Sequence, residues 1–396
     1  MTRADDVITL HTWLVEAALS GLPLKELVAG FCERLNELGF DLARAVIATA
    51  ALDPTIRAHS LTWERDDGAY LASFPHGESS LAWRQGPLAQ MARNRIGTMR
   101  QRLTDPAMTN EYALFAELKE MGLTDWVAYA HLFQWNVQHI EGGEMGVLSS
   151  WATMHEAGFS DTQVDELRPL VRALAAAIKS LTVVESACNV LSAYVGKDAG
   201  LRVLRGAITR GSVQNVRAVL MFADLRGFTR YSAEQPIDVT LATLNNSFDC
   251  VGDAIEAQGG QILKFMGDGV LAVFMLDEGQ PDSVMADLAI DAALDAQARL
   301  AASDLPLALD IAIHVGTVHY GNIGTSRRLD FTVIGQAVNE VARLESLCGA
   351  LGESILVSGE LAALTAKNAV RLKSLGSQTL RGLTGKMEVF GLSPSP

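Results

Sequence analysis

Two aspartates stand out by position. Asp224 closes the apolar run Val219–Ala223, and Asp268 sits in Gly267-Asp268-Gly269 between the strand-like stretches Ile262–Met266 and Val270–Phe274. A single carboxylate at a strand end is ordinarily a turn or cap residue. Two of them at the ends of neighbouring strands, among glycines that let phosphates approach the backbone, can do more. They can hold divalent metal ions over a phosphate chain. Mg²⁺ is the natural ion, because it binds through one or two carboxylates and completes its shell with substrate oxygens. Asn339 and Arg343, four residues apart, project from one face of a helix. The plain alternative is a surface Asn and an Arg paired with Glu340 or Glu345.

These residues need a scaffold, and from 219 onward the pattern supplies one. It predicts a strand at 219–223, a helix over 238–257, a hairpin at 261–274, a second helix over 283–302 and a strand at 307–315. Strand–helix–strand–strand–helix–strand is the order of a ferredoxin-like sheet. Upstream, 8–39 reads as helical, Ala45–Leu52 and Ser60–Glu64 as strands, and 75–125 as mixed, with a helix at Asn110–Met121. Trp126–Gln134 and Glu144–Met154 read as strands around a Glu141-Gly142-Gly143 turn.

Ser160-Asp-Thr-Gln163 is a capping box that opens a long helix. Along it Val164, Leu167, Val171, Leu174, Ile178, Leu181, Val184, Cys188, Leu191 and Val195 recur at steps of three and four. That is the seam of a two-stranded coiled coil, or the buried stripe of a helix packed on its own domain. Pro169 interrupts the pattern, and 196–218 reads as a turn-rich junction.

The formal charge of −14 argues against a nucleic-acid polymer or an anionic membrane surface as main partner. Cys32, Cys188, Cys250 and Cys348 form no CxxC pair, which suits a reducing compartment. The acidic start, Met1–Asp6, lacks an apolar signal core, and no uninterrupted apolar run reaches the ~18–20 residues of a membrane span. A cytoplasmic protein is the expectation. All six tryptophans precede residue 155 and could line a core or a ligand pocket; the histidines among them read as core or solvated residues.

Residues 213–396 resemble the catalytic domain of class III nucleotidyl cyclases. The resemblance rests on Phe222-Ala-Asp-Leu-Arg-Gly-Phe-Thr229, on Leu263-Lys-Phe-Met-Gly-Asp-Gly269, and on Asp330-Phe-Thr-Val-Ile-Gly-Gln-Ala-Val-Asn-Glu-Val-Ala-Arg-Leu-Glu345. It implies two Mg²⁺ or Mn²⁺ ions per site, held by Asp224, Asp268 and the Leu225 carbonyl. It also implies a phosphate cradle from the amides of Arg226, Gly227, Phe228 and Thr229. Lys264 and Thr332 would read the purine, in the combination that suits ATP. Asn339 would orient the ribose, and Arg343 would offset charge on the α-phosphate. Each site would be shared across a head-to-tail homodimer. Gln336 and Glu340 depart from the family pattern, which often has Asp and an aliphatic residue there, and Glu340 brings negative charge beside the phosphates. Arg381 and Lys386 both suit a further triphosphate contact.

The layout of the first half (helix, strands, variable middle, two strands, final helix) resembles a GAF-type sensory domain, which implies an unknown small-molecule or signal ligand. The expected architecture is α+β. A GAF-like domain over 1–160 precedes a helical coiled-coil linker and junction over 161–212, then a ferredoxin-like cyclase domain over 213–396. The expected function is adenylate cyclase, forming 3′,5′-cyclic AMP and pyrophosphate. A guanylate cyclase and a catalytically inactive nucleotide-binding dimer are the alternatives.

Overall fold

The structure, a computed structural model, describes residues 3–77, 80–105, 112–133, 146–276, 279–383 and 385–392. The chain divides into two compact units, Met1–Val190 and Leu191–Pro396.

The first unit opens with α1 (Arg3–Leu19) and α2 (Leu24–Glu37), separated where Gly21 takes a positive φ and Pro23 follows. The expected helical stretch at 8–39 is therefore two helices. Six strands follow: β1 (Leu42–Ala50), β2 (Ile56–Glu64), β3 (Gly68–Pro75), β4 (Thr98–Arg102), β5 (Asp125–Leu132) and β6 (Gly146–Thr153). They form one antiparallel sheet in the order β3-β2-β1-β6-β5-β4. Between β3 and β5 lie α3 (Leu81–Gln85), α4 (Pro87–Asn94) and α5 (Ala113–Glu120). The expected start of α5 at Asn110 and the expected turn at 141–143 lie outside the described residues.

Strand alternation sorts the two faces. Ala45, Ile47, Val127 and Tyr129 pack with α1 and α2, while Ala43, Trp126 and Ala128 pack with α4 and α5. On this second face a cavity of about 1010 Å³ is lined by Val46, Ala48, Trp83, Leu88, Tyr112 and Leu148, with Arg44, Arg57 and Glu117 among its polar walls.

The long helix α6 (Asp161–Val195) begins at the expected capping box. The Gln163 amide donates to Ser160 Oγ at 3.1 Å, and the Ser160 amide donates to Gln163 Oε1 at 2.8 Å. α6 runs through Pro169 without a break. Val164, Leu167, Val171, Leu174 and Ile178 are buried in the core of the first unit. This half of the expected coiled-coil seam thus packs on its own domain, and the unit extends well past residue 160. Beyond it Val184 and Tyr194 are exposed. By length and composition alone α6 would suffice to cross a membrane, although no uninterrupted apolar run suggested it.

The second unit contains α7 (Lys197–Leu204), β7 (Val213–Arg226), α8 (Phe228–Glu234), α9 (Ile237–Ala257), β8 (Gln261–Met266), β9 (Gly269–Met275), α10 (Asp282–Ala302), β10 (Ala308–Gly324) and β11 (Leu329–Ile334). It continues with α11 (Gln336–Glu345), α12 (Cys348–Leu351), β12 (Ile355–Ser358), α13 (Gly359–Ala362), β13 (Leu372–Gln378) and β14 (Met387–Leu392). The sheet runs β13-β14-β12-β10-β7-β9-β8, with β11 paired to β10. Its β10-β7-β9-β8 segment orders the four strands of the predicted pattern as fourth, first, third and second, the ferredoxin-like arrangement.

One face of this sheet carries α9 and α10. The buried stripe of α10 is largely alanine (Ala286, Ala289, Ala292, Ala293, Ala296), so the helix lies close to the strands. The opposite face carries α11 through Ala337, Val341 and Leu344. Close approach is possible there because β10 has glycine at 316, where a Cβ would overlap that of Ala337.

Candidate active site

The β7–β9 pairing sets Asp224 directly opposite Gly269, the residue after Asp268. Met266 pairs with Gly269, so Gly267 and Asp268 form a two-residue hairpin turn. Gly267 takes φ +69°, a conformation in which a side chain would be strained. The tight turn therefore delivers Asp268 to the end of β7. Burial, and then the charge of Asp268, raise the Asp224 carboxyl to about 6. The neighbouring Leu225 amide donates to Asp224 Oδ1 at 3.0 Å.

Two further carboxylates share this place. Asp310 on β10 pairs across from Asp224 on β7 and is buried. It accepts from the guanidinium of Arg226, with Nε–Oδ2 at 2.9 Å. Glu345, at the end of α11, is raised to about 7 by burial and by the charges of Asp224, Asp310 and Asp268. Like charges gathered in this way, with a single arginine among them, favour added cations. Among the described residues no three His, Cys, Asp or Glu side chains form a closed cage. The side chains at the end of β7 that could hold a metal are the carboxylates of Asp224 and Asp268. That donor set is the one Mg²⁺ prefers.

Gly227 follows directly, with φ +86° at the cap of α8. The chain turns there from strand to helix, so the amides of Phe228 and Thr229 belong to a first helical turn, where intrahelical acceptors are missing. The Arg226 side chain is committed to Asp310.

Lys264 lies on the edge strand β8, half exposed, and its Nζ is 2.9 Å from Asp330 Oδ2. Phe331 and Val333 of β11 point into the core, which leaves Asp330, Thr332 and Ile334 on the other face. The Lys264–Asp330 pair thus joins β8 to β11, the strand that carries Thr332. Asn339 and Arg343 are both exposed on α11. Neither makes a side-chain hydrogen bond or ion pair with a described residue, so the plain pairing of Arg343 with Glu340 or Glu345 is not formed. Glu340 instead meets His314 at 3.1 Å and Gln336 at 2.8 Å. Within one chain, no bond links Asp224 or Asp268 to Lys264, Thr332, Asn339 or Arg343. Arg381 and Lys386 are both exposed, and nothing in their surroundings separates them.

Comparison with known proteins bears on this geometry. Residues 211–394 match the family described as the adenylate and guanylate cyclase catalytic domain. The matched stretch makes up most of the second unit, which is similar to that catalytic domain.

An adenylate cyclase of Anabaena cylindrica is 36% identical over 156 residues, which make up 37% of this chain and 30% of that protein. Adenylate cyclase 1 of Rhizobium meliloti is 32% identical over 178 residues, 43% of this chain and 26% of that one. The chain thus spans less than a third of these relatives' own lengths. Among solved structures, the adenylyl cyclase CyaB from P. aeruginosa is 26% identical, covers 47% of this chain and 97% of its own, and superposes with a TM-score of 0.41.

Within the second unit, sequence reasoning overlooked Asp310 and gave Glu345 no role of its own at the site. A lone Asp inside the apolar run 307–313 is the one signal that could have flagged Asp310. Charged residues in such runs are rarely buried without a partner.

Proposed function

We propose that the chain is an adenylate cyclase working as a head-to-tail homodimer. The observation that carries this reading is the division of α11. Glu345 faces the carboxylates of its own chain, whereas Arg343, two residues earlier on a 3.6-residue helix, stands exposed and unpartnered. Arg343 therefore suits a phosphate presented by a second copy. Phe265, Met266 and Ile334 are exposed along β8 and β11, beside Lys264 and Thr332, and supply apolar surface for that copy to cover.

In this reading Asp224, Asp268 and the Leu225 carbonyl hold two divalent cations. When bound, these lower the pKa of the ribose 3′-hydroxyl and neutralise the triphosphate. The Gly227 turn presents its amides to phosphate. The partner contributes Lys264 and Thr332 to adenine, Asn339 to the ribose, and Arg343 to the charge that builds on the α-phosphate as the 3′-oxygen attacks and pyrophosphate leaves. Lys264 donates to adenine N1, and the Thr332 hydroxyl accepts from the 6-amino group; a mismatched purine leaves these groups unpaired. The first unit is read as a GAF-like sensory domain of a cytoplasmic protein. Its large cavity suits a small-molecule ligand, and the end of α6 serves as a coiled-coil connector.

The test is incubation of the full chain with ATP or GTP plus Mg²⁺ or Mn²⁺, followed by chromatography of the products. Cyclic AMP should dominate, and Lys264→Glu with Thr332→Cys should shift the preference toward GTP. Equal use of both purines by the parent would refute the adenylate assignment. Absence of any cyclic product would refute catalysis.

A further inference from the structure

His314 and Glu340 have no part in the roles assigned so far, yet they form a fully bonded polar chain in the core. His314 lies on β10, 4% exposed. Its Nδ1 is 2.9 Å from Ser358 Oγ, and its Nε2 is 3.1 Å from Glu340 Oε2. Ser358 caps α13 by accepting from the Leu361 amide at 3.3 Å, which leaves its hydroxyl hydrogen to donate to Nδ1. The Glu340 carboxylate can only accept, which assigns a proton to Nε2. Burial lowers the imidazole pKa, against the raising charges of Glu340 and Glu360. The other oxygen of Glu340 accepts from Gln336 Nε2 at 2.8 Å.

Glu340 precedes Arg343 by three residues on α11, a spacing at which opposite charges pair on a helix surface. That pairing is absent, and each Glu340 oxygen is bonded elsewhere, Oε2 to His314 and Oε1 to Gln336. We propose that His314, with Gln336, is a positioning residue: it holds the Glu340 carboxylate away from Arg343, so that the guanidinium stays uncommitted for the substrate on the partner copy. The inference rests on the reading of Arg343 given above. Without the hold, a carboxylate beside Arg343 would compete with the α-phosphate for the same fork, and the loss would fall on the transition state rather than on ATP binding.

The experiment is a double-mutant comparison in the full chain. His314→Leu should lower kcat on the order of 10-fold while KM for ATP stays within about two-fold. Glu340→Gln, which still accepts from His314 but cannot neutralise Arg343, should stay near the parent. The double variant His314→Leu/Glu340→Gln should regain most of the lost kcat, because the competing charge is gone. A merely structural histidine would give losses that add instead. A double variant no faster than His314→Leu, or a His314→Leu protein with the parent kcat, would overturn the proposal.

Should His314→Leu fail to fold, Gln336→Ala on the exposed side of α11 removes the other hold. Its kcat deficit should likewise vanish in Gln336→Ala/Glu340→Gln, and persistence of the deficit would overturn the proposal. Arg343→Ala is run alongside: parental activity there would strike down the reading of Arg343 itself, and with it this inference.

Discussion

Glu345 and Asp310 turn an expected pair of carboxylates into a cluster of four. Asp224 and Asp268 were legible because each interrupts an apolar run at a glycine-rich end. Asp310 was hidden because its one local signal, a lone acid in an apolar run, does not reveal that it lies across the sheet from Asp224. Glu345 entered only as one of two partners in the plain alternative for Arg343, whereas it feels the charges of Asp224, Asp310 and Asp268. The cluster has a measurable consequence. An acid whose folded pKa exceeds its unfolded value binds its proton more tightly in the folded chain. The charge on Glu345 therefore costs stability fully above pH about 7, and the cost disappears below the ordinary value of 4.5. In metal-free buffer, Glu345→Gln should melt higher than the parent at pH 8, by roughly 2–4 °C, and no higher at pH 4. Calorimetry at both pH values checks this.

At the scale of elements, the long helices α9 and α10 and the β8–β9 hairpin of the second unit follow the sequence pattern closely, since long amphipathic periods and a Gly-Asp-Gly turn are strong local signals. β7 and β10 are longer than their apolar runs. Their extensions, 213–218 and 316–324, carry glycine and polar residues and are held by pairing with each other over the full length of β7. β3 was missed for a related reason: it is an edge strand with mostly exposed side chains, so alternation is weak. The contact between α11 and β10 depends on one residue. Gly316→Val should push α11 off the sheet, cost on the order of 1–3 kcal/mol of stability, and lower kcat more than KM, because Asn339 and Arg343 move together. Urea titration and steady-state kinetics test this, and an unchanged kcat would show that the position of α11 does not matter.

At the scale of the molecule, the two units are separable in the chain at Val190–Leu191. The long helix was visible in the sequence, but its period could not say which neighbour it packs on. The core of the first unit takes the half up to Ile178, with Leu181 packed against it, and the connector reading remains for the residues beyond, where Val184 and Tyr194 are exposed. A fragment of residues 191–396 lacks nearly all of that helix. Its specific activity should fall on dilution at protein concentrations where the full chain holds constant, which an activity series across dilutions would register. Equal dilution behaviour would remove α6 from any part in assembly.

The most direct measurement of the shared site mixes two inactive full-length proteins. Asp268→Asn removes the cation-holding side, and Arg343→Ala removes the transition-state side. If each site is built from two chains, exchange of partners yields one intact site per mixed dimer, and cyclic AMP production should rise toward half the parental rate per mixed dimer. A mixture that stays inactive, after partner exchange is verified by native mass spectrometry, would mean that one chain carries its whole site.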